Sequence, residues 1–508
     1  MVTIPPTISG VAPLPVELLR LICDAADRSG LYSIALTSKT FNEIATPALY
    51  STIDLQVFHA IYLCVRSLAS APARNAMRRD LAGFVETLSL RDPDSWAGMS
   101  TFYGKLLSVI GRRLAHALPR MWRLRSITYR IGVADTVPLF TTLVSGAFQY
   151  IREVDLELYC QYPLMGAPEA DSEVSPVAVG VKGLTTLKLY WSGDAYRSTY
   201  KSFMSSLLKA NYRTLRKLTV LPDHGPLQPA LQSISSFPAL KELEAPAYIL
   251  SMPAFEDTSR IRRLTVEWWD VVELASTTLP NLEEVACTPE QLREFLPEDA
   301  QHRRPISTVM LDQVRYERTR SGGEFQCEEH EAAHGWDDVL CPALHRLRFS
   351  AASLARLGVA AEELSVSALL DLLPLLENLE YLLIVLQNTP RREQLSGVAR
   401  LLGSMPRLHT FLLSDGLSRT NGNGCPFEFA DSEDFQRLIL DDYDLYSSSL
   451  RRVAFTTEFE WERREDGWHP WGHIVPDREI VSDGEDESSM DEDQGGEWAG
   501  PSPDTLSP

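Results

Sequence analysis

His330-Glu331-Ala332-Ala333-His334 spells HExxH, two imidazoles one helical turn apart with a carboxylate between them. On a helix that spacing lets both histidines bind zinc while the glutamate activates a water. Cys327 and Cys341 flank it as Cys-x2-His-x3-His-x6-Cys, a ligand set for a structural zinc. The surroundings oppose both readings. Gly335 interrupts the run at once, no Gly-x-x-His follows, and 319–338 is a polar insertion between two strand-like segments. The expectation is therefore no metal, no cofactor and no catalysis. A metal-dependent hydrolase built on His330, Glu331 and His334 is kept as the weakest alternative. Gly422-Asn423-Gly424 is a loop tip, since no Gly-Lys-Ser/Thr follows it. Trp468, His469, Trp471 and His473 form an aromatic cluster expected to pack on the last structural repeat, and no nucleophile–base set stands out.

The elements that carry these residues repeat. After residue 84 the pattern aliphatic-x-x-apolar-x-apolar recurs thirteen times, from VETLSL (85–90) through IREVDL (151–156), LRKLTV (215–220), IRRLTV (261–266), LHRLRF (344–349) and LEYLLI (379–384) to LRRVAF (450–455). Several copies follow a Pro-x-Leu turn, as at Pro238, Pro280, Pro342 and Pro406, where proline ends a helix ahead of a strand. Helix-like stretches such as Tyr200–Ala210, Glu290–Leu296 and Val366–Leu376 lie between copies. Strand and helix alternating in this way predict parallel strands joined by right-handed crossovers. The repeat resembles a degenerate leucine-rich repeat, which implies a curved solenoid. Period-two alternation sends the third, fifth and seventh residues of each copy to the open concave face. That face would carry Glu153, Asp155, Glu157, Glu242, Glu244, Arg263, Glu267 and Glu284, then Arg346 and Arg348, then the apolar Tyr381, Leu383 and Val385, with Leu412 from the twelfth copy. Arg346, Arg348, Tyr381, Leu383 and Val385 are the expected target-binding residues. Burial of the apolar group under an insertion such as 419–434 is an equal alternative.

Residues 11–55 are different in kind. Pro15 suits the first turn of a helix, Leu18, Leu19 and Ile22 share one face, Gly30 breaks the pattern, and Thr40 with Glu43 has capping-box spacing ahead of a helix that Pro47 ends. Three short helices in so few residues leave apolar surface for something else to cover. The string Leu14-Pro15, Glu17-Leu18-Leu19, Ile22, Leu36-Thr37-Ser38-Lys39, Phe41 and Leu49-Tyr50 resembles the F-box of fungal proteins. The linker Asp27-Arg28-Ser29-Gly30 departs from the usual compact turn. The resemblance implies binding to the Skp-type adaptor of a cullin ubiquitin ligase through Leu14, Pro15, Leu18, Leu19, Ile22, Leu36 and Phe41. A plain helical cap on the solenoid is the bland alternative.

Composition bounds the rest. With 508 residues, 44% hydrophobic and 23% charged, the chain can form more than one packed unit. Its net charge of −21 argues against a nucleic-acid partner. Eleven acids and one base lie in 477–508, which predicts a disordered acidic tail; Ser482, Ser488 and Ser489 there each have an acid three residues on. Seven scattered cysteines fit a cytoplasmic or nuclear protein, and no signal or membrane span is read. The expected organisation is an F-box (11–55), a helical linker or cap (56–83), an α/β leucine-rich-repeat-like solenoid with parallel strands (84–458), an aromatic segment (459–476) and the tail (477–508). The function implied is substrate recognition for a Skp–cullin–F-box type ubiquitin ligase, with an unknown protein target. A scaffold independent of ubiquitin is the first alternative.

Overall fold

A computed structural model describes residues 15–70, 80–91, 101–131, 137–146, 148–159, 180–192, 198–221, 231–266, 274–275, 277–312, 315–319, 322–326, 334–388, 390–414, 433–455 and 459–472. Leu14, Glu267, Cys327, His330, Glu331 and the acidic tail lie outside them.

The repeated apolar hexad builds one long sheet. Its strands are β1 (Thr52–Leu55), β2 (Thr87–Arg91), β3 (Ser126–Arg130), β4 (Glu153–Tyr159), β5 (Thr186–Ser192), β6 (Lys217–Leu221), β7 (Glu242–Ala245), β8 (Arg263–Val266), β9 (Glu284–Cys287) and β10 (Thr308–Leu311). After a separate two-stranded hairpin, β11 (Arg315–Thr319) and β12 (Gly322–Gln326), come β13 (Arg356–Ala361), β14 (Tyr381–Leu386), β15 (Thr410–Ser414) and β16 (Arg452–Ala454). β17 (Phe459–Arg464) and β18 (Gly467–Gly472) close the order, giving sixteen strands that neighbour one another in chain order. Pairing is parallel from β1 to β16 and antiparallel for the last two strands. This is a solenoid-like α/β architecture.

The second residue of each hexad supplies the rung between repeats. The carbonyl of Glu86 accepts the N–H groups of Arg125 and Ser126, that of Arg125 accepts those of Arg152 and Glu153, and the same forked bond recurs strand by strand to His409, whose carbonyl accepts Arg451 and Arg452. Each rung satisfies the backbone polar groups of the bend ahead of a strand, where they would otherwise be buried without partners. The fourth and sixth residues, such as Leu187 and Leu189 or Leu218 and Val220, form a continuous buried core on one face. Helices cover that face: α4 (Phe58–Ala69), α5 (Thr101–Ala117), α6 (Val137–Ser145) and α7 (Ser198–Asn211) pack neighbour on neighbour. Shorter turns follow, then longer helices at Arg392–Gly403 and Glu433–Tyr446.

Twelve of the thirteen hexads are strands; LHRLRF is not. Cys341–Leu344 and His345–Phe349 are helical turns, with Pro342 at the start of the first. Leu344 and Leu347 stand three apart, a spacing that suits a tight helical turn as well as the start of a hexad. Both are buried in the helix-side core. The strand at this point is β13, whose own hexad, LARLGV (354–359), buries Leu354, Leu357 and Val359. The expected concave placement of Arg346 and Arg348 is thereby corrected.

Tyr381, Leu383 and Val385 do point away from the main core, as period two requires, but they are buried. With Ala360, Leu412 and Ala454 they form a second small apolar cluster. Of the two expectations for this group, an open patch and a buried one, burial is what the structure shows; residues 419–432 of the insertion lie outside the described residues.

Candidate functional site

At the N-terminus stand three helices, α1 (Val16–Ala25), which Pro15 precedes without a side-chain cap, and the capped α2 (Arg28–Thr37) and α3 (Lys39–Ser51). Asp27 caps α2 by accepting the Gly30 N–H at 2.7 Å, so Gly30 lies inside the first turn and does not break the helix. A Cβ on Gly30 would stand 2.8 Å from the Asp27 Oδ1, which explains glycine at that position. Ser38, not Thr40, caps α3 through the Phe41 N–H at 3.2 Å. The helix also runs through Pro47 to Ser51. The Thr46 hydroxyl bonds the Asn42 carbonyl in the turn that precedes the proline.

The module's own core is small: Cys23, Leu31, Ala35 and Ala45, with Ile34, Phe41, Ile44 and Leu49 partly buried against it. Leu19 and Cys23, four apart, form the inward stripe of α1. Leu18, Leu21 and Ile22 form a second stripe and are 45%, 63% and 42% exposed. On α2, Tyr32 and Leu36 are more than 60% exposed. α1 keeps exposed Glu17 and Arg20 on its surface, but the second apolar stripe beside them is the kind of exposed apolar group that marks a partner site. Of the residues expected to contact an adaptor, Pro15, Leu18, Ile22 and Leu36 are thus exposed, Phe41 is half-buried, and Leu19 is buried and supports from within. Val16, Leu21 and Tyr32 were not anticipated. The i, i+3, i+4 spacing of Leu18, Leu21 and Ile22 is the signal that would have found Leu21.

Beside this module opens a cleft of about 620 Å³ between α2, the end of α3, β1 and α4, lined by Tyr32, Leu49, Ile53, Leu63 and Cys64 with Arg28 at one side. Burial pushes the Cys64 thiol up to about 11. The thiols of Cys287 and Cys341 are likewise raised by burial first, and for Cys287 by Asp312 and Glu290. All three stay protonated at neutral pH, so none is a ready nucleophile.

On the open face of β3–β9 the charged side chains are largely matched. Arg130 makes a two-pronged ion pair with Asp155, both bonds 3.0 Å, and lies over the Tyr190 ring at 4.1 Å. Lys188 also reaches Asp155 at 3.7 Å. Lys217, Glu242, Arg263 and Glu284 form a ladder of alternating charge across β6–β9, and buried Glu244 accepts the Thr219 hydroxyl at 2.9 Å. Among the described residues, the expected acids Asp155, Glu242, Glu244 and Glu284 of this face are each matched by a cation or a hydroxyl.

His334 is the described end of the HEAAH segment. It forms a β-bridge with Ala361, and its Nε2 is 3.2 Å from the Oδ1 of buried Asp312. That hydrogen bond raises the imidazole above its usual range, against the opposing pull of burial. Among the described residues no three His, Cys, Asp or Glu side chains gather as metal ligands. Arg346 donates to the Glu298 carboxylate at 2.6 Å and the Leu296 carbonyl at 3.2 Å, while Arg348 lies over the Phe349 ring at 4.7 Å. Both arginines serve the helical layer. Trp468 packs as expected on the last repeat, donating to Asp444 at 3.0 Å. Among the described residues no helix is long and apolar enough to cross a membrane.

No protein-family model and no curated sequence matches the chain. Among solved structures, a chain from the crystal structure of the Rad7 and Elc1 complex in yeast is similar at 13% identity, with 58% of this chain and 81% of that chain covered and a TM-score of 0.28.

Proposed function

We propose that this chain is the substrate-recognition subunit of a Skp–cullin–F-box type ubiquitin ligase. The N-terminal module would bind the Skp-type adaptor, and the repeat sheet would hold a protein target. The observation that carries the proposal is the second apolar stripe of α1, Leu18–Leu21–Ile22, exposed together with Tyr32 and Leu36 on a module whose own core is already filled. Leu14 and Pro15 precede that stripe, while Leu19 and Phe41 hold it in place. α3 ends at Ser51 and β1 begins at Thr52, so no free linker separates the module from the sheet. A target on the sheet would then be held at a set place relative to the ligase. The gain is local concentration, with no chemistry required of this chain.

The test is co-purification of the adaptor with the full chain and with a Leu18→Asp/Ile22→Asp variant. Burying two such side chains contributes about 1.5–3 kcal/mol each, so losing both should weaken binding by roughly a hundredfold or more. A folded double variant, judged by circular dichroism, that retains the adaptor would defeat the assignment.

A further inference from the structure

The rungs that join the repeats also set out a row of side chains. The second residue of each hexad sits where the chain turns into its strand, and adjacent strands lie about 4.8 Å apart. On β3 to β8 these residues are Arg125, Arg152, Thr185, Arg216, Lys241 and Arg262. Five of the six are cationic, and those five are exposed. Both neighbouring rungs are acidic: Glu86 before the row contacts Arg125 at 3.7 Å, and Glu283 after it pairs with Arg262. The cationic row therefore has two defined ends and a length of roughly 24 Å from strand spacing alone.

The loops that lead into the same strands extend it: Arg123, Lys182 and Arg213 are exposed there, while Arg260, before β8, is offset by Asp257 in its own loop. Arg123 stacks over Trp122 at 4.6 Å and Arg213 over Tyr212 at 5.5 Å, contacts that hold the guanidinium groups along the edge. Arg152 is tied down by the carbonyls of Gln149, Ile151 and Lys182. Arg216 and Lys241, in the middle, have no ion-pair partner among the described residues. This differs from the adjoining open face, where charges are matched, and it stands against a chain-wide charge of −21.

We infer that this edge of β3–β8 binds an extended acidic polypeptide, a run of aspartate, glutamate or phosphorylated side chains on a partner protein. Charge complementarity carries the inference, and the bounded row sets the footprint. Polypeptide is favoured over single-stranded nucleic acid because guanidinium groups already occupy a face of Trp122 and Tyr212, rings on which bases would stack. The inference deepens the target-binding half of the proposed function. Its test uses the chain without an adaptor, so the two readings fail independently.

The probe is fluorescent poly-L-glutamate, followed by anisotropy against the full chain, with oligo-dT of equal charge in parallel. Binding of polyglutamate should fall steeply between low and high salt. Arg216→Glu/Lys241→Glu should weaken it by about fivefold or more, while Leu18→Asp/Ile22→Asp leaves it unchanged. Both rim residues are exposed, and an unchanged melting temperature verifies folding. Equal polyglutamate affinity in the rim variant, or tighter binding of oligo-dT than of polyglutamate, overturns the inference. Binding that emerges only after residues 477–508 are deleted would assign the row to the chain's own acidic tail and also overturn it.

Discussion

Glu460 shows how one buried carboxyl can tie stability to pH. It is 2% exposed and accepts two bonds from Arg452, at 2.8 and 2.6 Å. Burial and the nearby Glu462 nevertheless raise it to about 7, and burial also lowers Arg452. Desolvation thus outweighs attraction on both partners. Between the ordinary glutamate value of 4.5 and about 7 the folded chain holds a proton that the unfolded chain has lost. Stability must then fall as pH rises through that window. His334, also raised, adds in the same direction, since its stabilising contribution is lost as pH rises through its folded value. Urea midpoints measured from pH 4.5 to 7.5 should decline, and Glu460→Gln should flatten much of the slope. A midpoint that climbs over this range would show that the carboxyl stays ionised. A second residue-scale expectation follows from the corrected place of Arg346. Arg346→Glu sets a carboxylate against Glu298 and the Leu296 carbonyl and should destabilise by about 1–3 kcal/mol. Arg348→Glu, with its exposed side chain, should stay within about 0.5 kcal/mol. Equal effects would contradict the helical assignment of 345–349.

Individual elements were legible in the sequence wherever apolar periodicity alone decides them. The hexads ending at Leu189, Val220 and Val266 read as strands because their fourth and sixth residues have only one face to bury. LHRLRF misled because Leu344 and Leu347 satisfy a three-residue helical period equally well, and only the neighbouring repeats exclude a strand there. LARLGV fits the hexad in full, Gly358 standing at the variable fifth place, but it follows LHRLRF by ten residues and the two compete for the single strand of that repeat. The apolar run Tyr381–Leu386 reads as a strand, yet nothing in it says that both faces are buried, because the second cluster draws on Ala360, Leu412 and Ala454 from the neighbouring strands. The cap of α3 was legible in type but not in place, since Ser38 competes with Thr40 two positions on, and the Asp27 cap of α2 went unread because Gly30 reads as the end of the helical pattern. At the site, Leu18 and Ile22 were read as outward and are outward. Leu19, adjacent to Leu18, was assigned with them and turns inward, because a helix advances about 100° per residue. The cationic edge went unread for a different reason. Its members are about thirty residues apart in sequence, and only the parallel stacking of strands sets them side by side.

At the scale of the whole molecule, each strand leans on two neighbours and little else. Leu264 in the middle of β8 is 2% exposed, and in the sheet it faces Leu243 on one side and Val285 on the other. Leu264→Ala removes apolar contact from three consecutive repeats and should destabilise by roughly 2–5 kcal/mol. In a repeat array such a loss need not be shared by the entire chain, because stability is close to a sum of repeat and interface contributions. The polar anchors of the same region are local too. Arg304, fully buried, donates to the carbonyls of Thr278, Glu294 and Phe295, tying the β8–β9 and β9–β10 connections together. Hydrogen exchange in the variant should therefore accelerate first in β7–β9 and in the turns around Arg304. The N-terminal module, whose core of Cys23, Leu31, Ala35 and Ala45 is separate, should keep its protection. The far end has its own closure, with Trp461 buried and bonded to Gln436 at 2.6 Å, and should likewise respond late. Uniform acceleration from α1 to β18 would mean that the sixteen strands unfold as one cooperative unit, and the nearest-neighbour account of this sheet would fail.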